Sequence, residues 1–197
     1  MKTNHITRLF LITFVAAAAA GCASAPSHYY TLNSTATGDG SPAANYTVVI
    51  GPVSVPALVD HPQFTVQVAT NRVEVDEFNR WAEPLNDNIA RVVAGDLAVL
   101  LGTSQVATAS LANFNPAWQV TINIQRFQSV PGKSVLVEAL WVVRNSAGGA
   151  AHSGRTIASE PVSGNGFDAL AAAHSRALAK VSGDIAATIR AEADAKP

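Results

Sequence analysis

Trp118-Gln119-Val120-Thr121-Ile122-Asn123-Ile124-Gln125 places an apolar residue at every even position and a polar one at every odd position. A repeat of two is the period of a β-strand, so the stretch predicts a strand with one face in a core and the other toward water. Downstream, Val135 to Val143 is apolar at both parities except at Glu138, the pattern of an interior strand covered on both faces. Asn145 to Gly149 reads as a turn, and Ala150 to Ser159 as the strand that returns from it. Upstream, four shorter stretches are β-forming: Tyr29 to Leu32, Tyr46 to Val55 (broken by Gly51-Pro52 and closed by Pro56), Phe64 to Val68, and Arg72 to Phe78. The turn Ala69-Thr70-Asn71 is short enough to join the last two as a hairpin. Asn33 to Asn45 is rich in small and polar residues and reads as a loop.

Two stretches have helical period instead. Pro84 suits the first helical position, where its missing N–H costs nothing, and Gly102 suits the end of the same helix. Leu85, Ile89, Val92, Val93, Val99 and Leu100 form its apolar stripe. Asp96 falls inside that stripe, so it requires either a hydrogen-bonded partner or local exposure. Phe167 to about Ala193 predicts a long alanine-rich helix. Leu170, His174, Ala177, Leu178, Val181, Ile185 and Ile189 share one side of it, opposite Arg176, Lys180 and Arg190. His174 reads as a core-edge histidine. The order strands, helix, strands, helix implies a single α/β domain. Its mixed sheet has about five to seven strands, with two long helices packed on it and the later strands paired as antiparallel hairpins.

Ahead of that domain the chain changes character. Lys2 and Arg8 precede an uncharged apolar run, Leu9 to Ala20, which is shorter than a membrane-spanning helix and has the form of a secretory signal. The run ends in Ala19-Ala20-Gly21-Cys22, and Cys22 is the only cysteine of the chain. Small residues before a cysteine are what a bacterial lipoprotein signal peptidase accommodates. The expected division is a signal peptide over residues 1–21, a lipidated tether over 22–28 that begins at a diacylglyceryl-modified Cys22, and the folded domain over 29–197. A lone cysteine in an exported chain has no internal disulfide to form, so another role is wanted for it. The alternative to lipidation is ordinary secretion with cleavage in the alanine run and a free thiol near the terminus.

Composition and motif content exclude several function classes. Hydrophobic residues make up 48% of the chain and charged residues 14%, which provides a well-covered core and leaves weakly charged surface for a partner. The net charge is −1 and the lysines and arginines are scattered singly, so nothing offers a nucleic acid the stripe of cations it needs. G-x-S-x-G, H-E-x-x-H, C-x-x-C and the Walker loop are absent. Gly164-Asn165-Gly166 with Ala169 matches G-x-G-x-x-A, but no strand follows to complete a dinucleotide-binding unit, so it reads as a turn opening the last helix. His28, His61, His152 and His174 lack metal-ligand spacing, and His61, between Asp60 and Pro62, reads as an exposed loop residue. The expectation is a non-catalytic protein with no metal or cofactor.

The assembled residues resemble the ABC-type transport auxiliary lipoproteins of the PqiC/YmbA family. The resemblance rests on Cys22 with its tether, Tyr29-Tyr30-Thr31-Leu32, the segment Ile50 to Gln63, Asn79-Arg80-Trp81-Ala82-Glu83-Pro84-Leu85, and Glu138-Ala139-Leu140-Trp141. The block Arg80 to Leu85 is the most specific of these. In it Trp81 can anchor packing at the helix start while Glu83 sets negative charge near the positive end of the helix dipole. Trp118 and Trp141 likewise occupy inward-looking strand positions. Phe64 to Val68 departs from the family, whose members often end this strand in arginine.

The resemblance implies an outer-membrane-anchored periplasmic lipoprotein that supports lipid transport in an MCE-type system by docking the MCE-domain protein. It also implies a ring-like homo-oligomer around that partner. Ala23 after the lipidated cysteine, where an aspartate would signal retention in the inner membrane, agrees with outer-membrane sorting. The alternative is a periplasmic shuttle that holds an acyl chain between helices and sheet. The residues of the partner-binding surface are unknown from the sequence.

Overall fold

A computed structural model describes residues 25–38, 40, 42–43, 45–109 and 114–195. The expected signal peptide and Cys22 lie outside the described residues. The chain forms β1 (His28–Tyr30), β2 (Val48–Ser54), β3 (Gln63–Ala69), β4 (Arg72–Trp81), α1 (Leu85–Leu101), β5 (Val106–Ala107), β6 (Trp118–Val130), β7 (Ser134–Asn145), β8 (Ala151–Pro161) and α2 (Gly166–Asp194). The α/β class and the two long helices are as expected. The strands, however, divide between two sheets: five in the order β5-β2-β6-β7-β8 and three in the order β1-β4-β3.

The larger sheet is mixed. β2 runs parallel to both β5 and β6, whereas β6, β7 and β8 form an antiparallel meander. The alternation from Trp118 to Ile124 is real, and all four apolar side chains are buried. The strand then continues past the predicted stretch because a bulge between Ile124 and Arg126 resets its phase. Phe127 and Ser129 thereby turn inward where an unbroken strand would have aimed even-numbered residues. Gly51-Pro52 similarly coincides with a register shift in β2 rather than its end.

Both helices pack on one face of the large sheet, α1 against β2 and β5 and α2 against β7 and β8. The other face of β7 is therefore not covered as the sequence predicts. Leu140 is 42% and Ile157 of β8 is 53% exposed. Glu138 is buried on this open side by neighbours in the sheet, because Arg126 of β6 and Arg155 of β8 close over it from either side. The apolar runs at both parities thus record in-sheet crowding on one face and a true core on the other.

Helix α1 begins one residue later than expected. Pro84 is its N-cap with extended backbone (φ −51°, ψ 133°), and its carbonyl accepts the Asn88 amide at 3.0 Å. Gly102 ends the helix in the left-handed region at φ 64°. The amides of Thr103 and Gly102 return to the carbonyls of Ala98 and Val99, satisfying the orphan acceptors of the last turn.

The segment after β1, read from sequence as a loop, is a strap laid over both helices. The Asp96 carboxylate, fully buried, receives Ser34 Oγ (2.7 Å) and the amides of Thr35 and Ala36 (both 3.0 Å) on one oxygen, and Ser182 Oγ of α2 (3.0 Å) on the other. Gly95 admits this approach, since a Cβ there would lie 3.0 Å from that of Ser34. The partner that Asp96 required is therefore the strap itself, together with the second helix.

The Trp141 ring lies across Gly154, its cross-strand neighbour on β8, and its Nε1 donates to Thr156 Oγ1 at 3.0 Å. A Cβ at Gly154 would overlap that ring. Gly154→Ala should therefore destabilise the domain by about 1–3 kcal/mol through overpacking, read as a lower urea midpoint at unchanged slope. An unchanged midpoint would mean that the indole does not need this gap.

Candidate functional site

Three segments distant in sequence converge at the start of α1. Tyr29 arrives from β1, Asp60, His61 and Pro62 from the loop before β3, and residues 81–85 from the junction between β4 and α1. Together they line an open cleft of about 410 Å³ with mostly apolar walls. Backbone bonds fix the convergence: the Trp81 amide donates to the Pro62 carbonyl (2.7 Å) and the Ala82 amide to the Tyr30 carbonyl (2.8 Å). The blocks that the sequence singled out separately, Tyr29-Tyr30, Asp60-His61-Pro62 and Arg80 to Leu85, are the walls of one feature.

The floor of the cleft belongs to a chain of stacked rings. Trp81 stacks on Phe64 at 4.2 Å, and Phe64 meets Phe167 of α2 at 5.1 Å and Tyr30 at 5.9 Å. Trp81 also meets Phe127 edge-on at 6.1 Å, and Phe127 stacks on His174 at 3.8 Å. Rings from β1, β3, β4, β6 and α2 thus weld the small sheet to the large one, each pair adding about 0.5–1.5 kcal/mol beyond its buried area. Trp81 is 4% exposed and serves as the packing anchor expected of it. Trp118 and Trp141 are buried as well.

Glu83, at the helix entrance, is ion-paired with Arg91 at 2.5 Å. The same guanidinium donates to Thr31 Oγ1 (2.9 Å), the Leu32 carbonyl (3.3 Å) and Asn88 Oδ1 (2.8 Å). Asn88 Oδ1 in turn accepts the Leu32 amide at 3.3 Å. The chain leaving β1 is thereby tied to the first two turns of α1.

Among the described residues that line the cleft, no nucleophile is paired with a free base. His61 is half-buried rather than exposed, because its Nε2 donates to the Leu58 carbonyl at 3.0 Å. A ring nitrogen that carries that proton is not a base toward Thr65 Oγ1, 3.4 Å away. Nδ1 of the same ring is buried without a partner among the described residues. A larger, more polar recess of about 520 Å³ runs along β2 beside the start of α1, and among the described residues its one titratable lining residue is Asp87. Among the described residues no group of three or more His, Cys, Asp or Glu side chains is placed to hold a metal. Nor does any described helix have the length and apolarity to cross a membrane.

His174 is fully buried, beyond the core-edge position expected of it, with Nε2 2.8 Å from Ser129 Oγ. Burial pushes its pKa down from 6.5 to about 3, so the ring is neutral. The ring fills the core against Phe127, and its Nδ1 has no partner among the described residues. The G-x-G-x-x-A turn joins the antiparallel strand β8 to the last helix, with Gly164 and Gly166 at φ 112° and 82°, and is a turn as read. On the open sheet face, Arg155 first and Arg126 second hold the Glu138 carboxyl below its usual range. That fixed ion triad, flanked by exposed Leu140 and Ile157, gave no sequence signal beyond Glu138 itself. Its arginines are on other strands, and only the meander brings them together.

The family model described as the ABC-type transport auxiliary lipoprotein component matches residues 30–186, which hold nearly every element of the fold. The chain belongs to this family. The family is an auxiliary transport component rather than a known enzyme family. Its fold is shared with the crystal structure of a protein from Xanthomonas campestris, at a TM-score of 0.70 and 19% identity over 86% of this chain and 100% of that one. It is shared too with the crystal structure of an uncharacterized protein, at a TM-score of 0.69 and 18% identity over 84% and 99%. Among curated proteins none matches the chain.

The buried imidazole makes the stability of this auxiliary component depend on pH. Unfolding restores His174 to a pKa of 6.5, so below that value the unfolded chain binds a proton that the folded chain refuses. Stability is present in full above pH 6.5 and falls by about 1.4 kcal/mol per unit as pH drops toward the folded value. Urea unfolding between pH 7.5 and 5 should display this slope, and His174→Gln should flatten it although less stable at pH 7.5. An equal slope in both proteins would place the titration elsewhere.

Proposed function

We propose that this chain is a periplasmic lipoprotein held on the inner leaflet of the outer membrane by an acylated Cys22. From there it docks the distal end of an MCE-domain protein and supports lipid transport between the two membranes. Each partner is anchored in a different membrane, so their contact bridges the gap. Membership in an auxiliary transport lipoprotein family supports a binding role rather than a chemical one.

The observation that carries the docking reading is the open face of β6, β7 and β8. Leu140 and Ile157 are exposed there around the Arg126–Glu138–Arg155 triad, so apolar area and fixed charge lie side by side on a rigid sheet. Exposed apolar area bounded by polar groups is the usual mark of a protein-binding surface. Tethering raises the local concentration of each site, and a ring of copies around the partner would multiply weak contacts into a firm one.

The shuttle alternative finds less support. It needs an apolar cavity between helices and sheet, yet Ala173, Ala177, Leu178, Val181 and Ile185 of α2 and Val137, Ala139 and Val143 of β7 are all fully buried there. The small residues of α2 bring helix and sheet close.

Co-purification from membranes after mild crosslinking should recover an MCE-domain protein with the full-length chain. The double variant Leu140→Asp, Ile157→Asp should reduce that recovery by about tenfold, equivalent to about 1.4 kcal/mol. Both positions are exposed, so the fold should survive, as circular dichroism would verify. Failure to recover an MCE protein with the native chain contradicts the docking reading, and undiminished recovery with the variant moves the site off this face.

A further inference from the structure

We propose that the rim of the cleft at the start of α1, marked by Tyr29 and Leu58, is a membrane-contacting pole that rests on the phospholipid surface. The proposal rests on the reading of Cys22 as an acylated anchor, and it adds which end of the domain meets the bilayer.

Reach decides the orientation. Five residues, Ala23 to Ser27, separate Cys22 from His28, the first residue of β1. Fully extended they span about 20 Å, whereas a domain of this size is about 40 Å across. The tether is thus shorter than the domain it holds, and only the end at β1 comes within its range of the bilayer. That exit is also rigid. The Ala82 amide holds the Tyr30 carbonyl, Arg91 holds Thr31 and Leu32, and Asp96 holds residues 34 to 36.

The surface at that end suits a lipid interface. Tyr29 is 65% and Leu58 52% exposed, and they project from β1 and from the turn that leads to Asp60 and His61 at the cleft. A tyrosine there has an apolar ring for the acyl boundary and a hydroxyl for the headgroups. Glu83 is neutralised by Arg91, which leaves Asp60 as the carboxylate of the rim without an ion pair among the described residues. Contact is therefore apolar rather than electrostatic, and it should persist in zwitterionic vesicles and at high salt.

The test uses the full-length acylated protein. Because the lipid consumes the Cys22 thiol, a cysteine introduced as Leu58→Cys accepts a single nitrobenzoxadiazole label. Ile157→Cys, on the open sheet face, is the comparison site. Each labelled protein is reconstituted into phosphatidylethanolamine–phosphatidylglycerol vesicles, and into phosphatidylcholine vesicles, with and without brominated acyl chains. The label at position 58 should shift to the blue and be quenched several-fold more than the label at 157, in both lipid mixtures. Equal quenching at the two sites, or stronger quenching at 157, overturns the pole while leaving the anchor standing, since the protein still floats with the vesicles. Failure to float overturns the anchor, and the pole with it.

Discussion

The carboxylate of Asp96 is the constraint on which the rest of the arrangement depends. A charge in the middle of an apolar helix face costs several kcal/mol unless donors surround it. Here α2 supplies one donor and the strap supplies three, so the strap has a single place to lie. Its position buries Leu32 completely and holds β1 parallel to β4, which brings Tyr30 to the ring stack and Tyr29 to the cleft. Asn33 and Thr35 add bonds to Ser175, so the same segment is sewn to both helices. What reads from the sequence as a loop is an integral part of the packing between the helices and the small sheet.

That arrangement has a mechanical consequence. Force or thermal motion at the front of the chain passes into α1 through Arg91 and Asp96 and into the small sheet through β1. The ring stack from Tyr30 to His174 then couples the small sheet to the large one. The open face of β6 to β8 is consequently held at a fixed orientation relative to β1.

Periodicity carried the large features. The alternation at Trp118 to Ile124, the helical periods and the stop at Gly102 all produce the elements they imply, because burial of one face dominates local choice. In the last turns of α1, however, Leu97 and Leu101 take the buried positions, whereas Val99, placed in the stripe from the sequence, is 44% exposed and Leu100 is half-buried. Features that depend on tertiary partners were less legible. β5 is too short to show any period. The bulge that turns Phe127 inward has no signature in an otherwise regular strand. That Asp96 needed a partner was readable, but not that the partner lay sixty residues earlier in a segment with loop composition. The cleft was visible only as separate motifs, since their convergence is made by backbone bonds between β1, the loop before β3 and the β4–α1 junction. Glu138 stood out as an anomaly; the two arginines that account for it sit at unremarkable positions of neighbouring strands.

Amide hydrogen exchange at Thr35 and Ala36 tests the account most directly. Both amides are in a segment without regular secondary structure, so ordinary loop behaviour would leave them exchanging freely. Bonded to Asp96, they should exchange as slowly as core amides of α1 in the native chain, and Asp96→Ala should release them together with the amide of Ala82. Rapid exchange at both positions in the native protein would contradict the claim that a buried carboxylate fixes the strap and, through it, β1 and the ring stack.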